Sequence, residues 1–390
     1  MSATQITGLD ARSRCPIRLT IENRFIALVE ESKDDTDLYL AAGFVDLQVN
    51  GYAGFDLNAD NVSTETVIGL VHAMLANGVT SFVPTLITAP EEKICRGLRV
   101  IAEAIHSHPM AAACIPFIHV EGPHISPLDG YRGAHPLEAV RPPSVAEFDR
   151  WQDAADGTVG IVTLSPHYDD SFNYIAALVK QGVQVAIGHT HATPEQIRRA
   201  VDGGATLSTH LGNGIASEIP RHSNPIWSQL AEDRLTATFI ADGHHLLLDV
   251  LKVMLRAKGI AHSVLVSDAS ALAGASPGIY TSPVGGTVEL RPDGKLCIFN
   301  SDLLAGSTTS LAQCISHLVT MAAVPLMDAL IMATENPGRF AGGRGLLAPG
   351  SRADLVRFRC NDKLVIEDVW LAGEQVYERP NGITDADNNQ

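Results

Sequence analysis

The sequence of 390 residues has few cysteines, no long apolar run and a shortage of positive charge. Its six cysteines are scattered without a CxxC pair, which favours buried free thiols over disulfides or metal ligands. No stretch approaches the roughly 20 apolar residues of a membrane span. The N-terminal segment MSATQITGLDARSRC lacks the apolar core of a signal peptide. These absences predict a cytoplasmic protein.

Lysine and arginine are few in this chain. They number 28 against 44 aspartate and glutamate residues, so the formal net charge is −16 and the pI is about 5.3. Nucleic acids and anionic membranes would be repelled by such a charge, and we expect neither as a partner. A small phosphorylated ligand is compatible with it, because a few local cations are enough to bind one.

Strand and helix patterns alternate through residues 43–345. Eight repeats of this kind are typical of a (β/α)8 TIM-like barrel. We prefer this α/β fold to a doubly wound sheet, because no glycine-rich phosphate loop follows the first strand. The eight predicted strands are Phe44–Val49, Val79–Pro84, Ile115–Val120, Ile161–Leu164, Val183–Ile187, Ala205–Thr209, Leu235–Ile240 and Val264–Val266.

The two ends of the chain predict a second, smaller domain. Residues 1–42 and 346–390 show short polar–apolar alternations separated by turn residues, which is typical of antiparallel strands. We expect a small β-sandwich domain built from both termini, with the barrel inserted between them. Inside the barrel region, a Pro292-Asp-Gly turn predicts a β-hairpin near the barrel mouth. The polar tail after Asn381 is expected to be disordered.

The stretch Val183 to Ile215 combines strand, helix and strand, and a histidine ends each strand. His189 follows the first strand and His210 the second. A capping box at Thr193-Pro-Glu-Gln starts the helix between them, and Ser144-Val-Ala-Glu predicts another capping box earlier in the chain. Since the carboxyl ends of parallel barrel strands meet at one face, the two histidines should lie close together there.

Acidic residues follow two other predicted strands. Glu121 comes directly after the third strand, and Asp268 comes after the eighth. Together with His189 and His210, Glu121 would form a three-ligand set with one open position, as a catalytic zinc requires. Asp268 is then placed to accept a proton from an activated water and to give it to a leaving group. The pattern predicts a metal-dependent hydrolase.

The first barrel strand ends with two amides, Gln48 and Asn50. Alternation points both side chains to the same side as Asp46. Amides are poor ligands for a transition metal, so this strand does not predict a second metal ion. Two interpretations stay open: these side chains fill the barrel mouth, or they take a direct part in catalysis.

Eight ordered motifs lie between about Gly43 and Asp354. They are Gly43-Phe-Val-Asp-Leu-Gln-Val-Asn-Gly, His119-Val-Glu-Gly-Pro, Gly188-His-Thr-His-Ala-Thr, Thr209-His-Leu-Gly-Asn, Ile240-Ala-Asp-Gly-His-His, Val266-Ser-Asp-Ala, Leu304-Ala-Gly-Ser and Pro349-Gly-Ser-Arg-Ala-Asp-Leu. Together they resemble the amidohydrolase superfamily and, within it, the family of N-acetylglucosamine-6-phosphate deacetylases. The resemblance implies removal of the N-acetyl group from an N-acetyl amino sugar 6-phosphate, a small-molecule substrate of amino sugar catabolism.

The resemblance also implies roles for single residues. Asp268 is the implied general acid/base, and one divalent ion, Zn²⁺ or else Fe²⁺, Mn²⁺ or Co²⁺, is the implied cofactor. The implied metal ligands are Glu121, His189 and His210. The implied substrate-binding residues are His135, Asn213, Gly214, Arg221 and His245. The arginine would serve the neighbouring active site of a homodimer, and His244 is an alternative to His245 as the sugar contact.

Three alternatives to this function follow from the same residues. Asn213-Gly-Ile replaces the family's usual Asn-Ala-Met, which leaves open the galacto epimer or an unphosphorylated N-acyl amino sugar. A cyclic-amide hydrolase is disfavoured because the first strand has no His-x-His and no lysine falls at a strand end. A catalytically silent sugar-phosphate-binding protein is disfavoured by the complete ligand set with its acid/base.

Overall fold

A computed structural model describes residues 3–380. The strands in that range are β1 (Thr4–Leu9), β2 (Pro16–Glu22), β3 (Phe25–Glu31), β4 (Tyr39–Ala42), β5 (Phe44–Val49), β6 (Gly51–Tyr52), β7 (Phe55–Asp56), β8 (Val79–Ile87), β9 (Ile118–Glu121), β10 (Val159–Leu164), β11 (Gln184–Ile187), β12 (Leu207–Ser208), β13 (Thr236–Phe239), β14 (Ser263–Leu265), β15 (Gly278–Ser282), β16 (Gly286–Leu290), β17 (Leu296–Ile298), β18 (Leu355–Cys360), β19 (Leu364–Leu371) and β20 (Glu374–Glu378).

Helices cover the barrel on its outer side. They are α1 (Thr64–Ala76), α2 (Glu91–Ser107), α3 (Pro109–Cys114), α4 (Val145–Ala154), α5 (Ser171–Lys180), α6 (Pro194–Asp202), α7 (Pro225–Leu230), α8 (Leu248–Lys258), α9 (Leu311–Thr320), α10 (Leu326–Ala333) and α11 (Glu335–Gly338), with short 3₁₀ turns at Leu137–Ala139 and Ile260–His262. The tail predicted after Asn381 lies outside the described residues. Within residues 3–380, no helix has the length and apolar character needed to cross a membrane.

Eight parallel strands form the predicted barrel, in the order β14-β13-β12-β11-β10-β9-β8-β5. The barrel closes where the ends of its first and last strands meet. There the Asn50 N–H donates to the Ala269 carbonyl over 2.9 Å, and the Asp268 N–H donates to the Gln48 carbonyl over 3.1 Å. Residues about 220 positions apart therefore share one corner of the barrel mouth. The predicted (β/α)8 fold is confirmed.

The third barrel strand is shorter at its start than the sequence predicts. It begins at Ile118 instead of Ile115. Pro116 lies just before it, and proline has no N–H to donate to a neighbouring strand. The strand ends one residue later than predicted, so that Glu121 is its last residue. This places the carboxylate at the barrel mouth.

Strands from both ends of the chain form the predicted second domain. Its seven-stranded sheet has the order β20-β19-β18-β4-β1-β2-β3, so β4 joins the N-terminal strands to the C-terminal ones. Strands β4, β18 and β19 of this sheet bury residues on both faces. Leu40, Leu355 and Trp370 belong to the domain's own core, whereas Val356 and Phe358 pack with the barrel core. The domain boundaries at residues 42 and 346 stay a prediction.

A three-stranded antiparallel sheet, β15-β16-β17, lies between β14 and α9. Its second turn is Pro292-Asp-Gly294, closed by the Arg291 N–H, which donates to the Lys295 carbonyl over 2.9 Å. The predicted hairpin is confirmed, and β15 adds a strand that the sequence did not indicate. We call residues 278–298 the capping hairpin.

The two predicted capping boxes have different outcomes. Thr193 and Gln196 form both hydrogen bonds of the box. Ser144 caps α4 by accepting from the Glu147 N–H over 3.3 Å. The return bond, from the Ser144 N–H to the Glu147 carboxylate, is absent, because that carboxylate accepts from Arg141 Nε over 3.0 Å. A charge-assisted bond to a guanidinium is stronger than one to a backbone amide, so the second box was wrong in one of its two bonds.

All six cysteines are free, as predicted. Cys95, Cys114, Cys297 and Cys314 are buried, Cys360 is half-buried and Cys15 is exposed. Burial raises the pKa of the Cys114 thiol to about 12, so this thiol stays protonated and inert.

A buried histidine links the loop after β9 to the surrounding helices. The His124 ring stacks on Trp151 with centroids 5.4 Å apart and meets the edge of Tyr174 at 5.3 Å. Its Nδ1–H donates to the Arg141 carbonyl over 3.1 Å. Burial lowers the pKa of His124 from 6.5 to about 4, because the charged imidazolium would lose its hydration there.

This burial predicts a pH-dependent stability. The unfolded chain takes up the proton below pH 6.5, whereas the folded chain does so only near pH 4. The contribution of neutral His124 is therefore complete above pH 6.5 and is lost as the pH falls through that window. It amounts to roughly 3 kcal/mol at most. We expect His124→Phe to make the free energy of unfolding less pH-dependent between pH 4 and 6.5, measured by urea titration. The exposed His262→Gln is the control, and an equally steep profile for both variants would contradict the prediction.

Candidate active site

Three side chains predicted as metal ligands converge at the barrel mouth. Glu121 ends β9, His189 follows β11 and His210 follows β12. Glu121 Oε1 lies 2.8 Å from His210 Nε2 and 3.3 Å from His189 Nε2, and the two Nε2 atoms are 3.2 Å apart. All three residues are buried. The structure therefore brings together the whole predicted ligand set.

The spacing of these three atoms fits a single divalent cation. Zinc–nitrogen bonds of about 2.0–2.1 Å in a tetrahedral site separate neighbouring ligand atoms by about 3.3 Å. The His189 Nδ1–H donates to the Tyr131 carbonyl over 3.0 Å, which leaves the Nε2 lone pair facing the other two ligand atoms. Carboxylate and imidazole ligands suit several divalent metals, so the donor set fits a metal ion without selecting one.

Charge inside the cluster shifts the protonation of its members. Burial alone would raise the pKa of Glu121, but the imidazoles of His189 and His210 beside its carboxylate hold it well below its usual range. Burial alone would lower the pKa of His210, but the Glu121 carboxylate raises it. The carboxylate is thus held ionised, which is the form that coordinates a cation.

The backbone is strained at three of these strand ends. His189, His210 and Asp268 have φ values of 46°, 27° and 48°, in the left-handed region that side chains other than glycine rarely adopt. Each such residue costs of order 1–3 kcal/mol and persists only where the surroundings fix it. The three strained residues are among the predicted functional residues. This pattern is typical of active sites.

Asp268 lies beside the cluster and is held by the two amides of the first strand. Its Oδ1 accepts from Asn50 Nδ2 over 2.7 Å and from Gln48 Nε2 over 3.0 Å. Burial, followed by the negative charge of Glu121, raises the pKa of Asp268 to about 6. A carboxyl group near neutrality is suited to both accepting and donating a proton. The two amides therefore contact the candidate acid/base and do more than fill the barrel mouth.

The adjacent histidines after β13 have different surroundings. His245 lines the pocket, and its Nδ1–H donates to Asp242 Oδ2 over 2.6 Å. His244 points away, and its Nε2–H donates to the Asp293 carbonyl over 3.1 Å. Burial alone would raise the pKa of Asp242, but the hydrogen bond from His245 lowers it far below its usual range. An ionised Asp242 thus fixes the orientation of His245.

A pocket of about 260 Å³ opens over the cluster. His135 is buried in its wall, with its ring centroid 4.4 Å from that of His189. Burial, with a smaller effect of His189, lowers the pKa of His135 to about 3, so its ring is neutral. Asn213 and Gly214 line the pocket as well, and Gly214 lies against the His189 ring.

Arg221 does not reach this pocket. It is exposed on the loop before α7, where its carbonyl accepts from Trp227 Nε1 over 3.1 Å. Among residues 3–380, no lysine or arginine lines the pocket. The pocket of a single chain therefore offers no side-chain cation to an anionic group.

Sequence reasoning missed several residues that hold the site. Asp242 had a signal, because Asp-Gly-His-His after a strand places its carboxylate to accept the N–H groups of the next turn, both over 2.9 Å. Thr238 Oγ1 accepts the His210 N–H over 2.7 Å, and Tyr131 acts through its backbone carbonyl. Every residue has a backbone carbonyl, so the residue type at position 131 gives no signal of this contact.

Comparisons with known proteins agree with this geometry. The amidohydrolase family model matches residues 39–376. The bovine N-acetylglucosamine-6-phosphate deacetylase is 34% identical over 383 residues, covering 93% of this chain and 89% of the relative. The N-acetylgalactosamine-6-phosphate deacetylase of Escherichia coli O157:H7 is 30% identical over 365 residues, covering 92% and 94%.

A solved structure is similar over nearly the full length. It is a mutant N-acetyl-D-glucosamine-6-phosphate deacetylase from Mycobacterium smegmatis, in complex with N-acetyl-D-glucosamine-6-phosphate. Its TM-score is 0.85 at 31% sequence identity, and the match covers 96% of this chain and 100% of the other. The likeness therefore includes the barrel and the terminal domain together.

The ligand cluster predicts the metal content of the protein. We expect about one divalent ion per chain, by elemental analysis of dialysed protein, since three converging ligands hold one ion. Glu121→Gln should lose most of it, because an amide is a poor ligand. Asp268→Asn is the matched control and should keep its metal. An unchanged metal content in Glu121→Gln would show that the ion binds elsewhere.

Proposed function

The chain belongs to the amidohydrolase family, and we propose that it hydrolyses N-acetylglucosamine 6-phosphate to glucosamine 6-phosphate and acetate. The observation that carries this proposal is the convergence of Glu121, His189 and His210 beside Asp268 in one pocket. Relatives that share 30–34% of the sequence over nearly the whole chain carry deacetylase names. The reaction belongs to amino sugar metabolism.

A divalent metal held by Glu121, His189 and His210 would supply Lewis-acid activation of water and of the amide carbonyl. The buried Glu/His/His donor set supports such an ion. We propose Zn²⁺ as the native metal, since two imidazoles and one carboxylate are typical zinc ligands. Fe²⁺, Mn²⁺ and Co²⁺ are compatible with the same ligands.

Asp268 is the proposed general acid/base. Both amide donors bind its Oδ1, and among residues 3–380 no side chain donates to its Oδ2. Oδ2 is therefore free to take a proton from the attacking water and to return it to the leaving amine. With its pKa raised to about 6, the group is mostly ionised at neutral pH and ready to accept that proton.

The pocket walls support substrate roles for the remaining predicted residues. Neutral His135 offers an N–H to the acetamide carbonyl, since its low pKa prevents a second positive charge near the metal site. His245 is fixed by Asp242 and presents its free Nε2 to a sugar hydroxyl. Asn213 and Gly214 line the side of the pocket where the phosphate is proposed to bind.

We propose that the enzyme works as a homodimer with shared sites. A phosphate group needs a cation, and none of the lysine or arginine side chains of residues 3–380 lines the pocket. The exposed Arg221 is available to a second copy of the chain. An arginine from the partner subunit would complete the phosphate site, because its planar fork binds two phosphate oxygens at once.

The proposed compartment is the cytoplasm. The six free cysteines fit a reducing compartment, where thiols stay unpaired. The proposed substrate fits as well, because a charged sugar phosphate does not pass through a lipid bilayer unaided.

Acetate release tests the function directly. We expect the purified protein to release acetate from N-acetylglucosamine 6-phosphate much faster than from its galacto epimer or from the unphosphorylated sugars. Asp268→Asn should reduce kcat by about 10²–10⁴-fold, the usual contribution of a general acid/base. The exposed Asp153→Asn is the control and should keep wild-type turnover.

Each other outcome has a definite meaning. Faster release from the galacto epimer would assign that sugar as the substrate and keep the metal mechanism. Normal turnover by metal-loaded Asp268→Asn would disprove the proposed proton transfer. No release from any of these sugars by metal-loaded wild type would overturn the proposed substrate.

Shared active sites predict complementation between two impaired variants. Arg221→Ala and Asp268→Asn should each be nearly inactive at low concentrations of the phosphorylated substrate. Co-expressed, they form heterodimers in which one of the two sites has both Asp268 and the partner's Arg221. We expect about a quarter of wild-type activity from a random mixture of dimers. Activity no higher than that of the separate variants would show that each site uses only its own chain.

A further inference from the structure

Residues 302–306 form one wall of the pocket. This segment pairs with β17 of the capping hairpin. The Ile298 N–H donates to the Leu303 carbonyl over 2.9 Å, and the Ala305 N–H donates to the Leu296 carbonyl over 3.1 Å. Val284, at the first turn of the capping hairpin, also lines the pocket. The capping hairpin therefore holds residues 303–305 of this wall, whereas the residue that follows the wall, Ser307, is bonded to the barrel, where its N–H donates to the Asp268 carbonyl over 3.1 Å.

The capping hairpin is not part of the main barrel core. Val288, Leu290, Leu296 and Ala305 form a small apolar cluster of their own. Such a satellite cluster buries little apolar area, so its packing alone holds the element only weakly. Specific contacts to the barrel therefore add to the packing of Ala134 and Leu272, two barrel-loop residues, against this cluster.

Two side chains of the barrel loops supply such contacts at the tip of the capping hairpin. His244, from the loop after β13, donates from Nε2 to the Asp293 carbonyl over 3.1 Å. Thr308, from the loop before α9, donates from Oγ1 to the Gly294 carbonyl over 2.6 Å. The two acceptors are neighbouring carbonyls of the Pro292-Asp-Gly turn. Neither donor lines the pocket.

We propose that His244 and Thr308 are positioning residues for substrate binding, which clamp the capping hairpin and thereby fix the 302–306 wall. The inference deepens the proposed function and rests on it for the substrate used. It also separates the roles of the adjacent histidines: His245 faces the pocket, while His244 acts through the hairpin. The ligand cluster and Asp268 lie at the ends of barrel strands, and the side-chain hydrogen bonds of His244 and Thr308 go to the hairpin turn and not to them.

The clamp predicts an effect on KM and little on kcat. The loss of one neutral hydrogen bond weakens a binding constant by about 2- to 10-fold. Without it the wall would sample positions that do not contact the sugar, and KM would rise by that factor. We expect kcat to stay within about twofold, because the metal ligands and the acid/base keep their own contacts.

Two matched pairs of variants test the clamp in the full-length, metal-loaded enzyme. Thr308→Val removes the hydroxyl at nearly constant shape, and Thr308→Ser keeps it. His244→Phe removes the donor and keeps a ring, whereas His244→Gln keeps an N–H at a similar reach. We expect a raised KM for N-acetylglucosamine 6-phosphate in the Val and Phe variants and near wild-type values in the Ser and Gln variants. Melting temperatures identify any variant that is globally destabilised.

Hydrogen exchange gives a second readout that needs no turnover. Amides of residues 286–298 should exchange faster in Thr308→Val and His244→Phe than in their paired controls. The clamp is overturned if KM and exchange are unchanged in those two variants, or if the Ser and Gln variants are equally impaired. If the wild-type enzyme releases no acetate, the proposed substrate fails, and the exchange comparison alone then decides whether the clamp exists.

Discussion

Two carboxylates, those of Glu121 and Asp268, are buried in one pocket, and no lysine or arginine of residues 3–380 lines that pocket to balance them. An unpaired buried charge is costly, so the surrounding groups must respond to it. Histidine nitrogens face one carboxylate, and two amides donate to the other. Burial, followed by the repulsion from Glu121, raises the pKa of Asp268, and a bound cation would relieve that repulsion.

Barrel closure makes this arrangement possible. The amides of Gln48 and Asn50 reach Asp268 only because the first and eighth strands meet at their carboxyl ends. The strained backbone after three of the strands accompanies the placement of the His189, His210 and Asp268 side chains in the pocket. The rigid barrel supplies the packing that offsets this strain. The wall formed by residues 302–306 pairs with the more weakly packed capping hairpin, so this side of the pocket depends less on the barrel core than the metal-ligand side does.

Much of the candidate site could be predicted from the sequence, because a polar residue directly after an apolar barrel strand lies at the barrel mouth. Glu121, His189, His210 and Asp268 were found in that way. The partners of Asp268 could not be, since pairing across about 220 residues depends on closure of the barrel. Periodicity could not separate His244 from His245, because adjacent residues share the same local pattern. The return bond of the capping box at Ser144 was predicted wrongly, because Arg141, six residues before Glu147, donates to that carboxylate instead.

The terminal domain has a consequence for how the protein is made. Its strand β4 is synthesised early but hydrogen-bonds to β18, which follows about 300 residues later in the chain. At usual rates of translation, about 15–60 s pass between the synthesis of the two strands. During that interval the edge of β4 and the apolar side chains of Ile6, Leu19 and Leu40 have no C-terminal partner strands to cover them. An uncovered strand edge invites pairing with other chains. The nascent protein is therefore most prone to aggregate while the barrel is still being completed, and a chaperone that shields the first 42 residues would act on that interval.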